Sequence, residues 1–274
     1  MAEHESASDF FTHHLTHLRV GSGHWPWTWH LDTLGMSAAL ACLVALLLWL
    51  AARGARSDRA PTGLTALVEQ IYDWVDGQVS ESYQHKDRRF MDAMAIALFC
   101  WIVCMNAMDV LPVDLPSGLA GAAGAPFWRV LPTADVNSTG AMAFVVIVFV
   151  IVAGIRAKGL GGFLHEWIAA PLGDNPLLWL PNLLMNLIEL ISRPVSLALR
   201  LFGNMFAGEL LFLLIALFTL SGAGHGAGKV VLFLAQVIAG ALWSAFDVLI
   251  ILLQAYIFMI LPVVYISMAE QEHG

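Results

Sequence analysis

Residues 197–218 have the sequence LALRLFGNMFAGELLFLLIALF, in which one arginine, Arg200, stands among apolar side chains. The apolar run around it, 177–220, is long enough to cross a bilayer core of roughly 30 Å, which takes about 20 apolar residues. An arginine near the centre of a membrane helix costs roughly 2.5–3.5 kcal/mol on insertion scales, so its presence there indicates a function. Asn204 and Glu209 are the only strongly polar residues that follow it in this stretch.

Other polar residues of the same segment fall on the helical face of Arg200. At about 3.6 residues per turn, offsets of seven, eleven and fourteen residues place Arg193, Glu189 and Asn186 within about 40° of it. Glu209 lies about half a turn away and roughly 13 Å further along the axis, so it faces different surroundings. Arg193 could instead extend to the cytoplasmic interface, and Asn186 alone could simply hold helices together.

The last apolar segment, 230–268, carries Asp247 and Gln254 seven residues apart, and therefore nearly on one helical face. If Glu209 and Asp247 meet, two acids in a low-dielectric site cannot easily ionise together. One of the two would then hold a proton near neutrality, as a proton relay requires. Gln254 alone could also be a structural contact between helices.

The composition of the whole chain indicates a membrane protein. Of its 274 residues, 59% are hydrophobic and 12% charged, compared with roughly 45–50% and about 25% in a soluble domain. We therefore predict an all-α polytopic membrane protein with about five membrane-crossing helices, the last two long and tilted. The predicted spans are 34–52, 91–111, 140–155, 177–220 and 230–268.

A further segment, 64–79, has apolar residues on one helical face and acids on the other. This pattern predicts an amphipathic surface helix, lying at the membrane surface or against other helices. We expect an N-terminal outer segment, 1–33, followed by a single membrane domain, 34–274. Basic residues concentrate in the loops after the first and third spans and before the second, so the N-terminus is expected outside and the C-terminus inside.

Several classes of function and ligand find no support in the sequence. A net charge of -8 with only 13 dispersed basic residues argues against a nucleic-acid partner. The histidines before the first span match no zinc-site spacing and are expected to be solvated, and we expect no metal or other cofactor. No GxxxxGK[ST], HExxH or GxSxG motif occurs, so nucleotide and hydrolase sites are not expected. Three acids near the outer end of the second span could line a mouth that concentrates cations, namely Asp109, Asp114 and Asp135.

At SRPVSLALRLFGNMFAGELLF, residues 192–212, the chain resembles subunit a of the bacterial F-type ATP synthase. The resemblance continues through NAMDVLPVDLP, RVLPTADVN, KGLGGF and LLQAYIFMILPVVYISMAEQEH, and covers the chain from about Asp32 onward. It implies a proton-conducting stator subunit with two offset half-channels, which load and unload protons on a rotating ring of c subunits. The partners that it implies are this c-ring, the subunit b stalk, the rest of the ATP synthase and the lipid bilayer of the bacterial inner membrane.

The resemblance also implies roles for single residues. Arg200 corresponds to the essential arginine, which keeps the passing ring carboxylate ionised and blocks a direct proton leak. Positions of the outer half-channel correspond to Asn106, Asp109, Asn204, Glu209, Asp247 and Gln254, the last also placed to orient Arg200, and those of the inner one to Asn186 and Glu189. The chain has Asp247 where the best-known bacterial pattern has histidine. The chain also has Asn186 where that pattern has the acid of the inner half-channel. We therefore assign the role of this acid to Glu189, one turn later.

A secondary ion transporter with an intramembrane Arg/acid site is the alternative function, in which Arg200 would hold a substrate anion. It predicts transport by the purified chain alone, whereas the stator interpretation predicts no flux without the c-ring. In the stator interpretation the chain is not an enzyme by itself, because ATP chemistry belongs to partner subunits. The choice between proton and sodium stays open, since the ring carboxyl site that decides it is on another chain.

Overall fold

The computed structural model describes residues 19–21, 28–55, 60–84, 88–110, 131–173, 175–220 and 227–270. The predictions for the histidines before residue 28 and for Asp114 lie outside these residues. Six α-helices make up most of the described chain: α1 Leu31–Gly54, α2 Leu64–Ser82, α3 Arg89–Ala107, α4 Val136–Ala169, α5 Trp179–Leu220 and α6 Ala227–Glu270. Two short antiparallel strands, β1 Arg19–Gly21 and β2 Thr28–His30, pair ahead of α1, and a 3-10 turn, Pro132–Ala134, precedes α4.

Within the described residues, five helices are long and apolar enough to cross a membrane, and only α2 is not. Helices α4 and α6 are the most apolar of the five, and α5 is the least. Many of their large apolar side chains are exposed, Phe144 at 62% and Leu180 at 75%, as a hydrocarbon surrounding permits. The prediction of an all-α membrane protein with five crossing helices and one amphipathic helix is confirmed.

The last two helices are the longest, with 42 residues in α5 and 44 in α6. Pro194 lies inside α5 and Pro262 inside α6. Each proline removes one backbone hydrogen bond of its helix, yet both helices continue beyond it. The predicted spans 177–220 and 230–268 thus each correspond to one long helix.

Helix α4 contains a local break at Gly159, whose φ of 71° and ψ of 163° are not helical. A positive φ of this size is readily adopted only by glycine. The Phe163 ring, which follows the break, packs against Gly154, which precedes it: a Cβ atom added to Gly154 would lie 2.9 Å from the ring. Lys158 also forms an ion pair of 2.6 Å with Glu166 across the break. The predicted span 140–155 lies entirely before the break.

The chain divides into two compact units, which are described separately. The first consists of Met1–Leu43, Val103–Ser138 and Leu201–Leu253, and the second of Val44–Ile102, Thr139–Arg200 and Gln254–Gly274. In the second, the apolar face of α2 is fully buried at Val75 and Val79, in one core with Met259 and Val263 of α6. This packing accounts for the amphipathic pattern of α2. The single membrane domain, 34–274, stays a prediction.

Candidate functional site

Two carboxyl groups lie together against the backbone of α5 inside the first unit. A Cβ atom built on Gly208 would be 2.8 Å from Oδ2 of Asp109 and 3.7 Å from Oδ1 of Asp247. Because glycine has no side chain, α5 lets both groups approach its backbone. The turn after α3, which carries Asp109, and helix α6, which carries Asp247, therefore converge on one point of α5.

Both of these acids are buried, and Asp247 is completely inaccessible. Oδ2 of Asp109 and both carboxyl oxygens of Asp247 are buried without a hydrogen-bond partner among the described residues. Removing a charged carboxylate from water without a compensating partner is costly, and a bound proton lowers that cost. Carboxyl groups in such surroundings are suited to binding a proton.

Asp109 lies in a turn just beyond the end of the membrane-crossing helix α3. The backbone N–H of Asp109 closes this turn by donating to the Asn106 carbonyl at 3.0 Å. Burial, and then the neighbouring carboxyl groups of Asp247 and Glu209, raise the pKa of Asp109 to about 8. The raised pKa favours the protonated form of Asp109 at neutral pH. The meeting of Glu209 and Asp247 that the sequence suggested stays a prediction.

The two predicted amides of the first unit differ in their surroundings. Asn106, in the last turn of α3, is completely buried, and neither polar atom of its side chain has a hydrogen-bond partner in the described part of the chain. Asn204 is half-buried on α5, one turn before Gly208. The buried amide group of Asn106 favours a polar passage over an apolar core, because an amide without a partner is otherwise costly to bury.

Asp135 has a structural environment that the sequence did not indicate. Its Oδ1 atom accepts the N–H of Asn137 at 2.9 Å and so caps the start of α4. Its Oδ2 atom accepts the hydroxyl of Thr33 at 3.3 Å and also pairs with His30. The expectation of solvated histidines is therefore wrong for His30, because the buried Asp135 carboxylate holds its ring.

Arg200 is exposed on the surface of α5, in the second unit. It forms no hydrogen bond or ion pair with any residue that the structure describes. Gln254, which is buried on α6, is likewise not hydrogen-bonded to it in the described chain. A guanidinium group carries five donors, and apolar lipid offers no acceptor, so acceptors for Arg200 have to come from outside the described residues.

Asn186 is engaged with the end of helix α4. Its amide nitrogen donates to the carbonyls of Trp167 at 3.0 Å and Ala170 at 2.8 Å. The last carbonyls of a helix have no hydrogen-bond donor inside that helix. Asn186 supplies donors to two carbonyls at this end of α4. This favours the structural interpretation that the sequence had left open for Asn186.

A second asparagine, Asn182, also bonds to the backbone near the end of α4, one turn earlier on α5. The sequence alone did not single it out. It is fully buried, donates to the carbonyls of Ile168 and Gly173, and accepts the N–H of Leu172 at 3.0 Å. The available signal was its spacing of four residues from Asn186, which puts both amides on one face.

Glu189 is 54% exposed in its side chain and lies at the surface of α5. It forms an ion pair with Arg193, one turn later on the same helix. The guanidinium carbon of Arg193 is in turn 5.0 Å from the centre of the Tyr265 ring on α6. Among the described residues there is no group of three or more side chains suited to hold a metal ion.

The sequence is similar over most of its length to proteins of one family. The family described as ATP synthase A chain matches residues 34–267, which include every predicted site residue. The chain is 42% identical over 266 residues to the ATP synthase subunit a of Alkalilimnicola ehrlichii, covering 97% of both chains. It is 38% identical over 277 residues to that of Halorhodospira halophila, again covering 97% of both, and 40% identical over 264 residues to that of Shewanella sp. strain MR-4, covering 96% of both.

Proposed function

Because the chain belongs to the ATP synthase A chain family, we propose that it is the proton-conducting stator subunit of an F-type ATP synthase. In this role two offset half-channels load and unload protons on a rotating c-ring. The chain is not catalytic alone, and its partners are the c-ring, the subunit b stalk and the rest of the complex. It resides in the bacterial inner membrane, with the N-terminus outside and the C-terminus inside.

The observation that carries this proposal is that Arg200 is exposed on α5 and has no hydrogen-bond or ion-pair partner among the described residues. An unpaired cation inside a bilayer is costly, whereas a carboxylate on a neighbouring ring would remove that cost through a charge-assisted hydrogen bond. The same attraction keeps the ring carboxylate ionised while it passes Arg200. The positive charge of Arg200 also repels a proton that would otherwise move directly between the two half-channels.

The outer half-channel is formed in this proposal by the buried acids of the first unit. Asp247 and Glu209 both lie close enough to Asp109 to act on its charge, and a proton relay between carboxyl groups requires such proximity. Asn106 and Asn204 add uncharged hydrogen-bonding groups along this route. Gln254 belongs to the same set by its position on α6, seven residues after Asp247.

The inner half-channel has Glu189 as its principal acid. Its exposure allows proton exchange with water on the cytoplasmic side, and it precedes Arg200 by eleven residues on α5, whereas Glu209 follows Arg200 by nine. The two acids therefore lie on opposite sides of Arg200 along one helix. Asn186 contributes by holding the neighbouring backbone in place, since its donors are occupied.

The test is the Arg200→Ala variant in the complete complex reconstituted in liposomes. We expect proton-driven ATP synthesis to fall by roughly a hundredfold or more, as for a lost preorganised charge, with the c-ring still copurifying. Arg53→Ala, which removes an arginine stacked on Trp49 of α1, should leave synthesis near normal. Normal synthesis by Arg200→Ala would overturn the proposal, and ion flux by the purified chain without a c-ring would favour a secondary transporter.

A further inference from the structure

We propose that Arg193 and Tyr265 are positioning residues for Glu189, and that the last helix thereby controls the acid of the inner half-channel. The Tyr265 ring holds the Arg193 guanidinium group, which in turn holds the Glu189 carboxylate. This inference rests on the proposed function, because it takes Glu189 as the group that exchanges protons with the cytoplasm. It concerns two side chains that have no role in the half-channels described above.

Glu189 needs such support because of where it lies. Its side chain is mostly exposed on the surface of α5, and an exposed glutamate has several rotatable bonds that spread its carboxylate over many positions. An ion pair four residues apart on a helix surface is by itself weak and readily opened by solvent. The pair with Arg193 therefore fixes Glu189 only if Arg193 is itself held.

The surroundings of Arg193 supply that restraint. Its guanidinium carbon is 5.0 Å from the Tyr265 ring centre, within the roughly 6 Å over which a cation is attracted to an aromatic face. Its side chain is about half as exposed as that of Glu189, at 27%. Apolar residues from α4 and α5 line the same groove, among them Val146, Val150 and Leu190. They shield the attraction from water, which strengthens it.

The spacing of the residues on the two helices supports a shared role. Glu189 and Arg200 are eleven residues apart on α5, and Gln254 and Tyr265 are eleven residues apart on α6. Eleven residues are close to three full turns, so each pair lies within about 20° of one face. The face of α6 that presents Gln254 also presents the ring that holds Arg193.

The pair gives the inner acid a fixed position between proton transfers. When a Glu189 oxygen accepts a proton, the side chain becomes neutral and its attraction to Arg193 weakens, so the pair opens. When that proton leaves to cytoplasmic water, the carboxylate charge returns and the pair forms again. Because Arg193 stays on the Tyr265 ring throughout, Glu189 returns to the same place after each proton.

The experiment is a double-mutant cycle in the complete ATP synthase, with ATP-driven proton pumping into inverted membrane vesicles as the readout. Tyr265→Phe keeps the aromatic face and should pump within about twofold of the unmodified complex. Tyr265→Leu removes the ring and should lower pumping about three- to fivefold, as expected for a lost cation–π contact. In a Glu189→Gln background the same Tyr265→Leu change should cause no additional loss, because no carboxylate remains to be positioned.

A matched control is Tyr256→Leu on the same helix. The Tyr256 ring packs near Trp74 and its hydroxyl donates to Gln78 at 2.9 Å, so it interacts with no cation in these contacts. Whatever the size of its effect on pumping, Tyr256→Leu should have the same effect in the unmodified complex and in the Glu189→Gln background. Copurification of the c-ring with every variant establishes that the complexes are assembled.

Equal losses from Tyr265→Leu in both backgrounds would overturn the inference and make Tyr265 a packing residue. Full pumping by Tyr265→Leu would overturn it as well. Normal pumping by Glu189→Gln alone would remove its premise, while the Arg200→Ala result would still decide the proposed function independently. Recovery of an Arg193→Gln loss by Arg193→Lys would support the inference, because lysine restores the cation that pairs with Glu189.

Discussion

Asp109 occupies the space that a side chain at Gly208 would need: a Cβ atom there would lie 2.8 Å from the carboxyl oxygen Oδ2. That separation is shorter than an ordinary contact between a carbon and an oxygen atom. Glycine at position 208 therefore leaves the space in which the Asp109 carboxyl group lies. The position of Asp109 depends on a residue that has no proton-carrying group of its own.

The first prediction is that Gly208→Ala impairs proton conduction. The added methyl group would push the Asp109 carboxyl group away from Asp247, and a displacement of about 1 Å in a reacting group can cost as much as a hundredfold in rate. We expect proton-driven ATP synthesis by reconstituted complexes to fall at least tenfold, on the same reasoning.

Gly77→Ala is the control for that variant. Gly77 is also helical, on α2, and no atom lies within 4 Å of the Cβ position. Alanine is favoured over glycine in a helix, so synthesis should be unchanged. Equal behaviour of the two alanine variants would show that the close approach at Gly208 has no functional weight.

The second prediction concerns the protonation of Asp109. Because burial and the neighbouring acids raise its pKa to about 8, the carboxyl group should be neutral below that pH and ionised above it. Infrared spectra of the complex should show a protonated carboxyl band that disappears as the pH rises through about 8. This band should be missing in Asp109→Asn, and its disappearance near the ordinary value of 3.8 would contradict the prediction.

The helices of this protein could be predicted from the sequence because their signals are local. An apolar run of sufficient length, or a repeat of 3.6 residues, is visible within one segment. The contacts of Asn182 and of Tyr265 could not be predicted in this way. Asn182 bonds to the backbone at and after the end of the preceding helix, and Tyr265 meets an arginine on another helix. No periodicity within a single helix encodes which distant residue it will meet.

The candidate site was predictable to a similar extent. Arg200 and its flanking acids stood out because charged residues are costly in an apolar segment. The approach of Asp109 to Gly208 was not visible, since Asp109 follows the end of α3 and its direction depends on the turn there. The pairing of His30 with Asp135 was missed for the same reason, because 105 residues separate the two.

The third prediction concerns Asp247. If this residue acts by binding and releasing a proton, Asp247→His should retain substantial ATP-driven pumping, because imidazole also titrates near neutrality. Asp247→Leu fills the space but has no titratable group, and it should lose roughly a hundredfold or more, as for a missing acid–base group. Pumping measured in inverted vesicles distinguishes the two variants. Inactivity of both would assign Asp247 a role that depends on its shape or hydrogen bonding.

The exposed Arg200 affects the stability of the subunit before it is assembled into the complex. A free copy in the bilayer bears the cost of its unpaired cation, roughly 2.5–3.5 kcal/mol on insertion scales, and a copy beside a ring carboxylate does not. That free-energy difference corresponds to a factor of about a hundred or more in the equilibrium between unassembled and assembled subunits. The residue proposed to keep the ring carboxylate ionised would thus also make unassembled subunits less stable, which favours their incorporation into complete complexes or their removal.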